Sequence, residues 1–261
     1  MTRTLTLTRT STLTGSAAAQ PRTTPRGSGH GAPRLNLYAP IHKALRSMMS
    51  DTLVRIGRLD ADDAEDLRQG LAQFDALLAL CESHVQHEND FVHPAIEARR
   101  PTGSLRIAHE HDEHLQSIAE LRGEAATLRA APAELRAALA LRLYRHLALF
   151  VAANFQHMHI EETAHNAALW AHYSDDELMQ LHGRLTASIG AREMLEVARW
   201  MVPALSPAER AAVVGGMQAE APPEAFLGLL LQIRPRLDAC GWNKLARSVG
   251  VAPQLVPGEP E

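Results

Sequence analysis

The chain has two cysteines in 261 residues, Cys81 and Cys240, with no C-x-x-C spacing. A disulfide framework and a thiolate zinc site are therefore both excluded. Lysine is almost missing, with Lys43 and Lys244 set against 24 arginines. That skew, together with abundant alanine, reads as compositional bias, so no single arginine is taken as an anion-recognition residue. The formal charge is only −4, which leaves no basic excess to neutralise a phosphate backbone and argues against a nucleic-acid partner. Long apolar runs are also lacking. The longest, Leu147 to Ala153, falls far short of the ~20 residues that cross a bilayer, so no membrane association is expected. No apolar segment with a small-residue cleavage site follows the start of the chain. Phosphate loop, nucleophile elbow and dinucleotide fingerprint are all absent from the sequence. A soluble protein of a reducing cytoplasm is expected.

Acidic residues are missing before Asp51, and residues 1–34 are mostly Thr, Ser, Arg, Gly and Pro with little to bury. They read as a disordered tail. Their acid-free composition resembles an organelle transit peptide, but the alternation of Thr with Leu or Arg makes no amphipathic helix. A second disordered tail is expected over 252–261.

Histidine is abundant: 14 residues, 13 of them between His42 and His182. Two sets, His84-Val-Gln-His-Glu88 and His157-Met-His-Ile-Glu161, are H-x-x-x-E patterns that put an imidazole and a carboxylate on one face of a helix, one turn apart. A third cluster runs His109-Glu-His111-Asp-Glu-His114, and His42 stands alone. Apolar periodicity puts these groups on four helices. The first runs from Tyr38 to Gly57. The second opens in the acidic stretch at Asp60 and buries Phe74, Leu77, Cys81, His84, Glu88, Phe91 and Ala95, with Pro94 kinking or ending it. The third turns His111 and His114 inward and leaves His109 outside. The fourth starts near Pro132 and carries Leu143, Leu147, Phe150, Asn154, His157 and Glu161 to about Tyr173. Short connections make neighbours antiparallel, which predicts an all-α, up-down-up-down four-helix bundle over 35–173 with every candidate ligand at the same end.

Over 174–251 two S-x-x-E capping boxes, Ser174 to Glu177 and Ser206 to Glu209, open a C-terminal extension of several short helices without any ligand-like cluster. Its expected role is packing on the bundle or forming a homodimer, with a regulatory module as the alternative. His146 and His165 are read as ordinary core histidines, His30, His109, His172 and His182 as solvated, Cys81 as a buried small hydrophobe, and the three tryptophans as packing anchors.

Histidine and carboxylate without thiolate select iron, manganese or zinc, and six inward groups exceed the needs of one tetrahedral zinc. Two glutamates able to bridge, with four imidazoles, are the inventory of a carboxylate-bridged pair of irons. The order His, H-x-x-x-E, Glu-His, H-x-x-x-E-E over residues 35–173 resembles the hemerythrin-like (HHE cation-binding) family. The resemblance implies a non-haem di-iron centre held by His42, His84, Glu88, His111, His157 and Glu161, binding O2 or NO or responding to oxygen, iron or redox state. A di-iron enzyme acting on oxygen, nitric oxide or peroxide is the rival. Oxygen-carrying members have a second ligand histidine one turn away on the third helix, where this chain has Ile107, and an aspartate in H-x-x-x-x-D spacing on the fourth. That departure implies more exposed irons and faster autoxidation, with His114 or His87 as candidates to fill the gap.

Overall fold

A computed structural model describes residues 34–253, and within them every regular element is helical. The expected disordered tails lie outside this range, save for residue 34 and residues 252 and 253. The chain runs through α1 (Ala39–Gly57), α2 (Ala64–His87), a π turn π1 (Glu88–Val92), α3 (His93–Arg99), α4 (Leu105–Ala130), α5 (Ala133–Ile160), a second π turn π2 (Glu161–His165) and α6 (Asn166–His172). Five further helices follow: α7 (Asp175–Ser188), α8 (Ala191–Ala204), α9 (Pro207–Glu220), α10 (Pro223–Ile233) and α11 (Ala239–Ser248). No helix among the described residues is long and apolar enough to cross a membrane.

Local chemistry sets the ends. Asp63 caps α2, accepting from the backbone N–H groups of Glu65 and Asp66, so the helix opens at Ala64, four residues after the acidic stretch starts at Asp60. Both expected capping boxes form, Ser174 with Glu177 and Ser206 with Glu209. Pro132 is the N-cap of α5. Arg34, which composition places in the tail, is tied down instead. Its guanidinium donates to Trp170 O at 3.0 Å, Tyr173 O at 2.7 Å and Asp175 at 2.7 Å, covering carbonyls left bare at the end of α6.

Packing closes α1, α2, α4 and α5 on one another: α1 lies against α2 and α5, α2 against α4, and α4 against α5. Their shared core includes Leu45, Met48, Phe74, Leu77, Ile118, Leu121, Leu143, Leu147 and Phe150. A smaller apolar cluster is built from Tyr38 just before α1, Val92 of π1, Ile96 of α3, Leu169 of α6 and Leu178 of α7. His42 falls between Tyr38 and Leu45, Glu88 between Cys81 and Val92, and Glu161 between Phe150 and Leu169. The polar residues thus form a layer between two apolar ones.

The π turns alter which residues face inward. Continued at α-helical period, the second helix would bury Phe91 and Ala95; the buried residues are Val92, His93 and Ile96, while Phe91 and Ala95 are only half-buried. The extra residue of an i→i+5 turn, in which His93 N–H donates to Glu88 O, carries the buried face one residue further. Pro94 sits just beyond. Lacking an N–H and pressing its ring on the carbonyl four residues back, it favours this widening over an ordinary turn, and the helix continues rather than ending. In π2 the Thr163 hydroxyl donates to His159 O and Ile160 O, competing for the helix carbonyls.

The C-terminal helices share a core of their own around Phe226, Leu230, Ile233, Trp242 and Leu245. Helix α8 joins it to the rest, since Val197 packs in the main core and Val202 in the C-terminal one, and α8 lies along α1. The turn after α8 is held by buried Arg210, which donates to Val202 O at 2.8 Å, Pro203 O at 3.2 Å and Leu205 O at 3.0 Å. Arg210→Ala strips three carbonyls of their donor and is expected to cost about 2 kcal/mol. Urea unfolding monitored by tryptophan fluorescence checks this, and an unchanged midpoint would contradict it.

Candidate metal centre

His42 comes from α1, His84 from α2, His111 from α4 and His157 from α5, while Glu88 and Glu161 are the first residues of the two π turns. Five of the six are buried, and the His84 side chain keeps 12% exposure. Their donor atoms fall into two groups, each with all atoms within 4.8 Å of one another: His42, His84, Glu88 and Glu161, and then Glu88, His111, His157 and Glu161. Such groups can hold metal ions.

Each carboxylate divides its oxygens between the groups. Glu88 Oε1 lies 3.3 Å from His84 Nε2 and 3.8 Å from His42 Nε2, while its Oε2 lies 3.2 Å from His111 Nε2. Glu161 Oε2 lies 3.4 Å from His42 Nε2, while its Oε1 lies 3.1 Å from His157 Nε2 and 3.6 Å from His111 Nε2. The Nε2 atoms of His111 and His157 face each other at 3.1 Å. An ion with bonds of about 2.1 Å sets adjacent donors about 3.0 Å apart at right angles and about 3.4 Å apart in a tetrahedron. Most of the observed spacings, 3.1–3.4 Å, lie in this range, while His111 Nε2 to Glu161 Oε1 at 3.6 Å and His42 Nε2 to Glu88 Oε1 at 3.8 Å are wider.

Outer partners orient three of the imidazoles. His42 Nδ1 donates to Glu162 at 3.1 Å, His111 Nδ1 to Asn89 at 2.8 Å and His157 Nδ1 to Glu110 at 3.0 Å. Arg46 in turn holds Glu162, and Arg106 holds Glu110. Each outer group neighbours one inner residue in the chain but serves a histidine on another helix, so the set also braces the helices. With Nδ1 occupied, Nε2 points a lone pair inward. On the inner side, His42 Nε2, His84 Nε2 and all four oxygens of Glu88 and Glu161 are buried without a hydrogen-bond partner.

Without metal, protons take up the charge. Burial lowers the pKa of His42, but Glu162, Glu88 and Glu161 outweigh it and bring it to about 9. His111 is likewise lowered by burial and raised further by Glu161 and Glu88, to about 9. His84 falls to about 4, mainly through burial, with repulsion from His42 adding to it against the pull of Glu88. Burial raises Glu88, yet the facing His84, His111 and His42 hold it well below the usual carboxylate range.

Two histidines join the centre that helical periodicity does not assign to it. His165, read as an ordinary core residue, lies with His93 and Glu161 in a third group of donors within 4.8 Å of one another. His93 stacks on His111 with ring centroids 4.8 Å apart. The π turn brings it there, since on a regular α-helix a position five residues after Glu88 points away. His114 and His87 stay outside these groups. His114 is buried edge-on to His157 and Phe150, and His87 approaches Glu193 of α8 at 4.0 Å. Ile107 is packed in the core, His109 and His159 are exposed, and burial pushes the free Cys81 thiol up to about 12.

Comparison with protein-family models, curated proteins and solved structures returns no match.

Removing an outer partner should loosen its imidazole without emptying the site. Asn89→Ala, Glu110→Ala and Glu162→Ala are each expected to weaken metal binding about 10- to 100-fold, read by competition with a chromophoric chelator. The pH dependence has a definite sign. In metal-free protein the raised His42 and His111 contribute stability that is complete below pH 6.5 and lost as pH rises through about 9. Metal must displace the same protons, so its affinity should rise over that window. Melting temperatures of chelator-treated and metal-loaded protein should therefore diverge from pH 6.5 to 9, and parallel profiles would contradict it.

Proposed function

We propose that the protein is a non-haem di-iron binding protein of the hemerythrin-like type, binding or sensing dioxygen, iron or redox state. The supporting observation is the division of Glu88 and Glu161 between two groups, each completed by two imidazoles. In this reading α1, α2, α4 and α5 are an up-down-up-down four-helix bundle, with residues 174–251 as its extension. His42 and His84 would hold one ion and His111 and His157 the other, with Glu88 and Glu161 available to both.

Neutral imidazole and carboxylate suit iron at this site, and the absence of thiolate argues against a softer ion. A bound iron pair would supply one-electron redox chemistry and affinity for a small diatomic ligand such as O2 or NO. The chain supplies the rest. Glu110, Glu162 and Asn89 keep each Nδ1 occupied, the apolar layers on either side exclude bulk water, and the two carboxylates offset part of the metal charge. Carboxylate-rich oxidase sites use more glutamate and less histidine, so binding is favoured over turnover of an organic substrate. A cytoplasmic location fits the free thiols of Cys81 and Cys240.

A regulatory role has its own support. Helix α8 packs along α1, which carries His42, and Lys43 beside it pairs with Glu209 of α9 at 2.6 Å. On α2, Ser83, next to His84, donates to Glu193 of α8. Metal occupancy can therefore bear on the C-terminal helices.

Reconstitution with iron followed by mass-spectrometric metal analysis is expected to give two irons per chain. Glu88→Ala and Glu161→Ala should each lose most of both, because each carboxylate serves both ions, while His109→Ala and His159→Ala keep them. One zinc per chain, or equal losses in all four variants, would contradict the reading.

A further inference from the structure

We propose that His93, His165 and Glu161 form a third divalent-cation site beside the pair, weaker than either of the other two. The inference rests on the two-ion reading of Glu88 and Glu161, to which it adds residues that the pair does not use.

Three observations carry it. The donor atoms of the three residues lie within 4.8 Å of one another, the spacing found in the two main groups. His93 is 7% exposed, and its Nε2 is buried with no hydrogen-bond partner. A buried polar nitrogen without a partner is costly, and an ion relieves that cost. Finally, His165 is 3% exposed and its Nδ1 lies 3.2 Å from the hydroxyl of buried Tyr38. In the tautomer in which Nδ1 donates to the Tyr38 oxygen, Nε2 is left to face a ligand, as it is in His42, His111 and His157 beside their acceptor oxygens. Two imidazoles and a carboxylate without thiolate suit a borderline ion such as Co2+, Zn2+ or Fe2+. The site is the weakest because it has only three protein donors, borrows Glu161 from the pair, and places its ion beside two other cations.

The test is titration of the metal-free full chain with Co2+, followed by calorimetry and visible absorption. Three equivalents are expected, the third at least about tenfold weaker than the first two. His93→Ala and His165→Gln should bind two equivalents with the spectrum of the pair retained. Tyr38→Phe, which removes one hydroxyl and keeps the ring in its apolar cluster, should weaken only the third equivalent, by about tenfold or more. Saturation of the unmodified chain at two equivalents overturns the third site and leaves the pair standing. Saturation at one overturns the pair and the third site with it. A third equivalent that persists in both histidine variants places that ion elsewhere and also overturns the proposal.

Discussion

Glu88 and Glu161 are buried carboxylates whose four oxygens accept no hydrogen bond. Taking one carboxylate out of water costs several kcal/mol even after the surroundings relax, so two of them side by side must be answered by positive charge. The raised pKa values of His42 and His111 favour a proton on each as that answer; a bound metal would supply the charge instead. Much of the local architecture follows from this need. Four imidazoles converge on the two carboxylates from four helices, and the outer residues Glu110, Glu162 and Asn89 hold three of those rings in the orientation that presents Nε2.

The same constraint links site to fold. Glu88 and Glu161 each open a π turn, where the backbone is one residue out of α-helical step. Such turns are usually tolerated where function asks for them. Here they bring His93, Val92 and Ile96 inward beyond Glu88, and they let the helix continue past Pro94. The apolar layers on either side of the polar one seal it from water, which strengthens every charge interaction within it. Helix α8 adds a further seal along α1 and couples the C-terminal core to the helix that carries His42.

Much of this was legible in the residues. The H-x-x-x-E pairs at His84 and His157 are readable because four residues on an α-helix return to nearly the same face, and the capping boxes at Ser174 and Ser206 are readable because they are local. His93 was not legible, because its inward direction depends on a π turn that no short pattern announces; Pro94, read as a kink, was the available hint. His165 points inward on any reading, but only the proximity of His93 distinguishes it from a core histidine. The outer partners adjoin the inner residues in the chain, at Asn89, Glu110 and Glu162, yet each serves a histidine on a different helix, and tertiary packing alone decides that. Arg34 looked like tail because composition says nothing about the bare carbonyls of α6 that it covers.

The shared-carboxylate centre is tested most directly by a crystal structure of iron-loaded protein with anomalous diffraction recorded at the iron edge. Two strong peaks about 3.5–4 Å apart are expected, one against His42 and His84, the other against His111 and His157, with Glu88 and Glu161 touching both. A single peak, or two peaks that do not share those carboxylates, would contradict it.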